Sequence, residues 1–245
     1  MNKPVPPHAP LLEYYEAPAK RSDFVRNLFN RTAESYDGIN AAFALGSGPW
    51  YRRRALRQAG LAPGARTLDV AIGTGLVARE AAAILGGTRD LVGLDLSEGM
   101  LAVARRQLGL TLVQARAEAL PFADASFDFV SMGYALRHVA DLSALFGEFR
   151  RVLRPGGRVL VLEIARPEGR LAHALLRGYM GAVVPALSRL SGRESATLMR
   201  YYWDTIEACV PPAEIIARLG EAGLAQVGCA TELGMMRAYS ARCPG

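Results

Sequence analysis

The chain has 245 residues, 51% hydrophobic and 21% charged, with a formal net charge of +6, enough for one well-buried α/β domain with an elaboration and too little for two comfortable ones. No apolar run nears the ~20 residues of a bilayer span and no hydrophobic signal segment opens the chain, so a cytoplasmic protein without a transmembrane segment is expected. Cys209, Cys229 and Cys243 lie far apart with no histidine at ligand spacing, which argues against a disulfide framework and a metal site, and the arginines are too dispersed for a nucleic-acid-binding tail.

Residues 1–21 begin proline-rich and are expected to form a flexible leader to a single domain over 22–245. Within it, 22–62 reads as a helical lid, with Ser22-Asp23 as a cap before Phe24, Val25, Leu28 and Phe29. The arginine-dense run Trp50–Arg57 reads as a solvated lid face, with an anionic substrate or a membrane surface as the alternative. Strand and helix then alternate, with strands near 66–71, 90–95, 111–115, 127–132 and 157–164 and helices near 76–86, 97–108 and 141–153. In the last of these helices Asp141 is the expected cap, and Leu142, Leu145, Phe146, Phe149 and Val152 recur at helical spacing. Pro155-Gly156-Gly157 turns the chain back. Residues 168–208 read as a helical insertion interrupted at Val184-Pro185 and Ser191-Gly192. A helix over 212–222 and strands near 225–231 and 235–242 close the chain.

Two segments carry the chemistry. Thr67-Leu-Asp-Val-Ala-Ile-Gly-Thr-Gly-Leu76 is an apolar strand running into a glycine turn and a helix, and Leu91-Val-Gly-Leu-Asp95 ends a second apolar strand in an acid, where a ribose would offer two hydroxyls. This is the pattern of a nucleotide-cofactor site. Gly73-Thr-Gly75-Leu-Val-Ala78 also satisfies the dinucleotide fingerprint, so the turn alone leaves a nicotinamide enzyme open.

The rest of the chain narrows the choice. From about Arg66 to Arg166, including Ala119-Leu-Pro-Phe-Ala-Asp-Ala-Ser-Phe-Asp128, Ala135-Leu-Arg-His-Val-Ala-Asp141 and Glu148-Phe-Arg-Arg-Val-Leu-Arg-Pro-Gly-Gly-Arg-Val-Leu-Val-Leu-Glu163, the sequence resembles class I S-adenosylmethionine (SAM) methyltransferases. The resemblance is to the ubiquinone/menaquinone-biosynthesis C-methyltransferase family, the UbiE type. Phe29–Asn40, with its Tyr36-Asp37-x-x-Asn40 pattern, and Arg200–Ile206 extend it more loosely towards both ends.

The resemblance implies an α/β, Rossmann-like class I methyltransferase fold, a seven-stranded mostly parallel sheet with an antiparallel last strand, plus the lid and the insertion. It implies SAM as cofactor. Gly73, Thr74 and Gly75 would let the backbone approach the cofactor's ribose and methionine portion, Asp69 would anchor the turn or reach the amino group through water, and Asp95 would accept from both ribose hydroxyls. Leu96 and Met100, just beyond, join the cofactor set. Arg116-Ala117-Glu118 stands where the family brackets adenine; Ala117 keeps its backbone N–H, while Arg116 has no acceptor to offer and would stack instead. Gly133 replaces a serine.

For catalysis the resemblance points to Arg137, which would orient a phenolate or a water, and to His138, which stands in place of an asparagine and titrates in a useful range. Tyr36 and Tyr201 complete the catalytic set, with Asp37, Tyr134 and Asp204 nearby. The expected activity is C-methylation of a hydrophobic small molecule such as a quinol or phenol. The residues leave two alternatives: methylation of a prenyl diphosphate alkene, with Arg52–Arg54 on the diphosphate and Tyr201–Trp203 facing a carbocation, and a noncatalytic SAM- or RNA-binding module. Peripheral membrane contact and a homodimer are both compatible with the sequence.

Overall fold

The computed structural model describes residues 4–44, 47–167, 169–179 and 193–245. The interruptions expected at Val184-Pro185 and Ser191-Gly192 lie outside the described residues. Seven strands form one sheet: β1 (Thr67–Val70), β2 (Leu91–Asp95), β3 (Thr111–Gln114), β4 (Phe127–Gly133), β5 (Leu153–Ile164), β6 (Ala225–Glu232) and β7 (Met236–Arg242). Their order is β3-β2-β1-β4-β5-β7-β6, and β7 runs antiparallel to both of its neighbours. The fold is therefore the Rossmann-like arrangement, with the last strand reversed and inserted beside β5.

The central strands are apolar throughout because both faces are covered. Leu68 and Val70 of β1 and Val130 and Met132 of β4 are fully buried. On one face, helix α5 (Leu142–Val152) presents Leu142, Leu145, Phe146, Phe149 and Val152, all fully buried, and Asp141 caps it by accepting from the Ser143 N–H at 2.9 Å. On the other lie α3 (Leu76–Leu85) and α4 (Glu98–Gln107), the latter capped by Ser97. Strand β5 starts at Leu153, earlier than its apolar run at 157, because the chain enters the sheet through an irregular pairing beside Phe127 and Phe129 and turns at Gly156 (φ +81°).

The segment expected as a lid forms two helices, α1 (Arg21–Ala44) and α2 (Gly48–Gln58). Ser22-Asp23 is not the cap: α1 begins at Arg21, directly after a 3₁₀ turn over Pro18–Lys20. Helix α1 lies on α4 so closely that a Cβ at Gly99 would sit 2.8 Å from the Asn30 carbonyl oxygen, and the Asn30 side chain accepts from Ser97 Oγ and the Gly99 N–H. The insertion contributes α6 (Arg170–Gly178) and α7 (Arg193–Ala208), and α8 (Pro212–Glu221) precedes β6.

The leader differs from the flexible tail expected of its prolines. Residues 4–20 run along the molecule and are tied at several points: the Val5 N–H donates to Asp141, the Leu142 N–H to the Val5 carbonyl and the Val210 N–H to the Pro7 carbonyl. His8 and Tyr15 are buried, and His8 Nε2 and Arg21 both meet the Arg137 carbonyl, at 3.0 and 2.6 Å. Prolines that cannot join a helix instead supply an extended segment whose free carbonyls others use.

Candidate active site

The C-terminal ends of β1, β2, β3 and β4 open on one cleft of about 110 Å³, where this topology places ligands. Gly73 follows β1, Asp95 and Leu96 end β2, Met100 comes from α4, Arg116, Ala117 and Glu118 follow β3, and Gly133 ends β4; all eight line the cleft. Asp69 and Thr74 sit just beyond, in a small chamber shared with Gly73, Gly133 and Tyr134. Gly75 is the exception among the expected cofactor residues. It lines neither space; it starts α3 at φ +95°, and a side chain there would collide with Leu108, so its smallness serves packing.

The polar groups of this end are held by main chain. Asp95 accepts from the Gly73 N–H and the Ser97 N–H, each at 2.8 Å, which aims the carboxylate across the cleft with lone pairs remaining for two hydroxyls. Burial raises its pKa to about 6. Asp69 is deeper: Ser131 Oγ donates to its Oδ1 at 2.6 Å, Oδ2 has no partner, and burial raises the pKa to about 7. An orphaned buried carboxylate oxygen beside a glycine turn fits a cationic amino group. Glu118 accepts from the Ala140 N–H at 2.6 Å and fastens the loop after β3 to the loop after β4. Arg116 stays half exposed, 3.8 Å from Glu118, at the rim.

Helix α1 covers the other side. Thr74 Oγ1 donates to Asp37 at 2.5 Å, and Gln107 also reaches Asp37, so this lid acid clamps the glycine turn and does not face an acceptor. Asp204 likewise turns away, accepting from the Tyr14 hydroxyl.

Next to the cleft lies a second cavity of about 370 Å³ lined largely by apolar side chains, among them Ile164, Leu198, Met199, Met235 and Met236. Tyr36, Tyr134 and Tyr202 line both spaces and form their common wall. The Tyr36 and Tyr202 hydroxyls are hydrogen-bonded at 2.7 Å, and burial pushes both phenols up. Tyr134 holds an unusual backbone, φ +60°, directly after β4, which turns its ring into this wall.

The four residues expected in catalysis separate here. Tyr36 and His138 face the cleft; Arg137 and Tyr201 do not. Arg137 is completely buried behind it, ion-paired with Glu163, with its guanidinium 5.1 Å from the Tyr202 ring centroid. Its guanidinium faces Glu163 and the Tyr202 ring and lines neither space. Tyr201 points away into an aromatic group with Tyr14 and Phe24, because neighbouring positions on α7 point in different directions and Tyr202 takes the cavity side. His138 lies on the cleft wall between Phe29, Tyr201 and Tyr202, and neither ring nitrogen has a partner. Burial, assisted by the Arg137 and Arg21 charges, pulls its pKa well down, so the imidazole is neutral.

The ubiE/COQ5 methyltransferase family profile matches residues 17–238. The chain belongs to this family. The ubiquinone/menaquinone biosynthesis C-methyltransferase UbiE of Hahella chejuensis is 32% identical over 219 residues, 86% of this chain and 88% of that one. The demethylmenaquinone methyltransferase of Symbiobacterium thermophilum is 38% identical over 161 residues, 63% of this chain and 64% of that one. Among solved structures, a SAM-dependent methyltransferase from Thermotoga maritima has a TM-score of 0.62 at 19% identity, covering 89% and 98% of the two chains. A Haemonchus contortus phosphoethanolamine N-methyltransferase 2 in complex with SAM has a TM-score of 0.64 at 20% identity, over 90% of this chain and 60% of that one.

Membership makes the chain a SAM-dependent methyltransferase, which corrects both the nicotinamide reading of the glycine turn and the noncatalytic one. The prenyl diphosphate alternative loses its receptor. Of the three arginines assigned to it, Arg53 is paired with Glu80 and Arg54 with Glu232, and only Arg52 enters the cavity; of the three aromatics only Tyr202 does, while Trp203 packs on Met199. Among the described residues no helix is long and apolar enough to cross a membrane. The sequence did not single out Ser131, Met199, Met235 or Met236. Each looks ordinary in its own segment, and only the fold brings them to the site.

Proposed function

We propose that this chain methylates a ring carbon of an apolar phenol or quinol, with SAM in the cleft and the acceptor in the apolar cavity. The observation that carries the reading is the common wall: Tyr36, Tyr134 and Tyr202 separate the cleft at the strand ends from a cavity of methionines and leucines, so a flat apolar ring entering the cavity meets the donor at the tyrosines. The relatives support the class of acceptor, since both are named for quinone methylation.

When bound, the cofactor supplies a sulfonium methyl, a strong electrophile that needs little activation. The protein's own residues align, exclude water and handle the proton. Asp95 takes the ribose, Asp69 the amino group, and Ala117 the adenine edge. Helices α1 and α2 act as a lid, latched by Asp37 on Thr74. His138, neutral and unpartnered on the cleft wall, takes the ring proton displaced by the methyl group, and Arg137 and Glu163 fix Tyr202 from behind.

The reading is tested by incubating the protein with methyl-labelled SAM and three acceptor sets: prenylated naphthoquinols and benzoquinols, simple phenols, and prenyl diphosphates. Mass spectrometry should find the label on a ring carbon of a quinol or phenol. Labelled prenyl chains, or no product from any phenol or quinol while SAM is bound, would overturn it.

A further inference from the structure

Burying a guanidinium is costly unless an anion accompanies it. Of the buried arginines at the site, Arg137 pairs with Glu163, and Arg21, which has no carboxylate, donates to the Arg137 carbonyl at 2.6 Å and meets His8; Arg53 and Arg54 are half exposed and pair with Glu80 and Glu232. Arg52 has no partner as close. It is 4% exposed, its one hydrogen bond is to the neutral Asn40 amide oxygen at 3.2 Å, Nε has no partner, and no carboxylate pairs with it among the described residues.

Its placement is equally specific. The guanidinium lies 5.6 Å from the Tyr134 ring centroid and lines both the apolar cavity and the chamber beside Asp69. One turn earlier on α2, Gly48 leaves the room it occupies, since a Cβ there would lie 2.8 Å from Arg52 Nη1. Tyr36 and Tyr202 line the same cavity, and in the 2.7 Å contact of their hydroxyls one proton lies between the two oxygens while the other remains free to donate. A buried unpaired cation beside a free hydroxyl donor is a receptor for an oxyanion.

We propose that Arg52, with the Tyr36–Tyr202 hydroxyl pair, binds the acceptor as its phenolate and so activates the ring carbon before methyl transfer. The proposal rests on the reading of the apolar cavity as the acceptor site. The phenol O–H proton leaves to solvent as the acceptor binds. The phenolate pushes an electron pair to the ortho carbon, which forms a bond to the methyl group while the methyl–sulfur bond breaks and leaves its pair on sulfur. The acceptor oxygen is then a ketone until the displaced ring proton passes to His138, which restores the aromatic phenolate and later releases the proton to solvent. Arg52 thus takes the role that the sequence assigned to Arg137.

The test uses 4-nitrophenol, whose phenolate is coloured, bound to the full chain saturated with S-adenosylhomocysteine and titrated with pH. In the native protein the bound probe should ionise at least one pH unit below its free value, and in Arg52→Met that shift should vanish. Arg52→Lys keeps the charge and should retain part of the shift, and it serves if the Met variant does not fold. S-adenosylhomocysteine affinity, measured by calorimetry, should change less than about threefold in either variant, since less than a factor of ten marks the loss of no charged contact. A probe that fails to bind, or that titrates at its free pKa in the native protein, overturns the proposal. So does a tenfold loss of S-adenosylhomocysteine affinity with the probe's shift intact, which would assign Arg52 to the cofactor's carboxylate. No turnover is needed, so a failure of quinol methylation leaves this outcome readable by itself.

Discussion

The two ends of the site are built on different principles. At the cofactor end the strand termini and main-chain N–H groups do most of the placing: Asp95 is aimed by two backbone donors, and the acid and the glycine turn lie on adjacent parallel strands in register. At the acceptor end the wall is made of side chains from separate stretches, Tyr36 from α1, Arg52 from α2, Tyr134 after β4, Tyr202 from α7 and the methionines around β7. A main-chain site tolerates little change in its acceptor groups and binds one ligand. A side-chain site can be re-cut one residue at a time, which is how a family shares one cofactor while its acceptors differ.

That contrast can be broken in graded steps. The largest effect is expected behind the acceptor wall: Arg137→Ala leaves Glu163 buried and unpaired and should cost about 3–5 kcal/mol of stability, read by denaturant unfolding. A loss below about 1 kcal/mol would mean that the pair does not anchor this half. At the wall itself, His138→Asn should lower turnover by about 10²-fold with SAM affinity unchanged, the size of a general-base contribution; near-native turnover would leave His138 a packing residue. At the cofactor end, Asp95→Ala should weaken SAM by about 2–3 kcal/mol in calorimetry, for the loss of charge-assisted hydrogen bonds. Unchanged affinity would remove the ribose assignment.

The smallest expected effect is in pH. Burial raises Asp69 to about 7, so without cofactor the carboxyl holds its proton in the folded state at pH values where the unfolded chain has lost it. By linkage its contribution to stability is therefore present at low pH and is lost as pH rises from about 4 towards 7. Cofactor binding has the opposite sign, since an amino group favours the ionised acid: affinity should rise by up to about tenfold per pH unit between about 6 and 7 through Asp69, more steeply below about 6 where Asp95 also protonates, and level off above 7. Asp69→Asn should flatten that rise, and a profile identical to the native one would place the titrating group elsewhere.

The same contrast explains what could be read from the chain. The cofactor end was legible because its residues are local: a strand, a glycine turn and an acid twenty residues on are one supersecondary unit, and the expected strands and helices fall close to those observed. Even there the motif shows that position 75 must be small and not which neighbour requires it, and Leu108 packs against it. The acceptor end was legible only in residue types. Neither Arg137 nor Arg52 has an obvious carboxylate beside it in sequence, and which one is paired depends on Glu163, twenty-six residues beyond Arg137 on β5. Tyr201, Tyr202 and Trp203 are adjacent, and the phase of α7 decides which of them sees the cavity. The leader was misread for a related reason: proline content argues against helix, but the contacts of Val5, Pro7 and His8 are with residues more than a hundred positions away.

Those leader contacts also set an order of events during synthesis. Val5 meets Asp141 and Leu142, His8 meets the Arg137 carbonyl, and Pro7 meets Val210, so a segment synthesised before the whole sheet is among the last to find its place. Strands β1 to β4 can pair while the leader is still unattached. The wall that carries His138 and Tyr202 receives its backing only when residues near 210 have emerged. In a nascent chain the strand ends that carry Asp69 and Asp95 would thus be in place before the wall that faces the acceptor is complete.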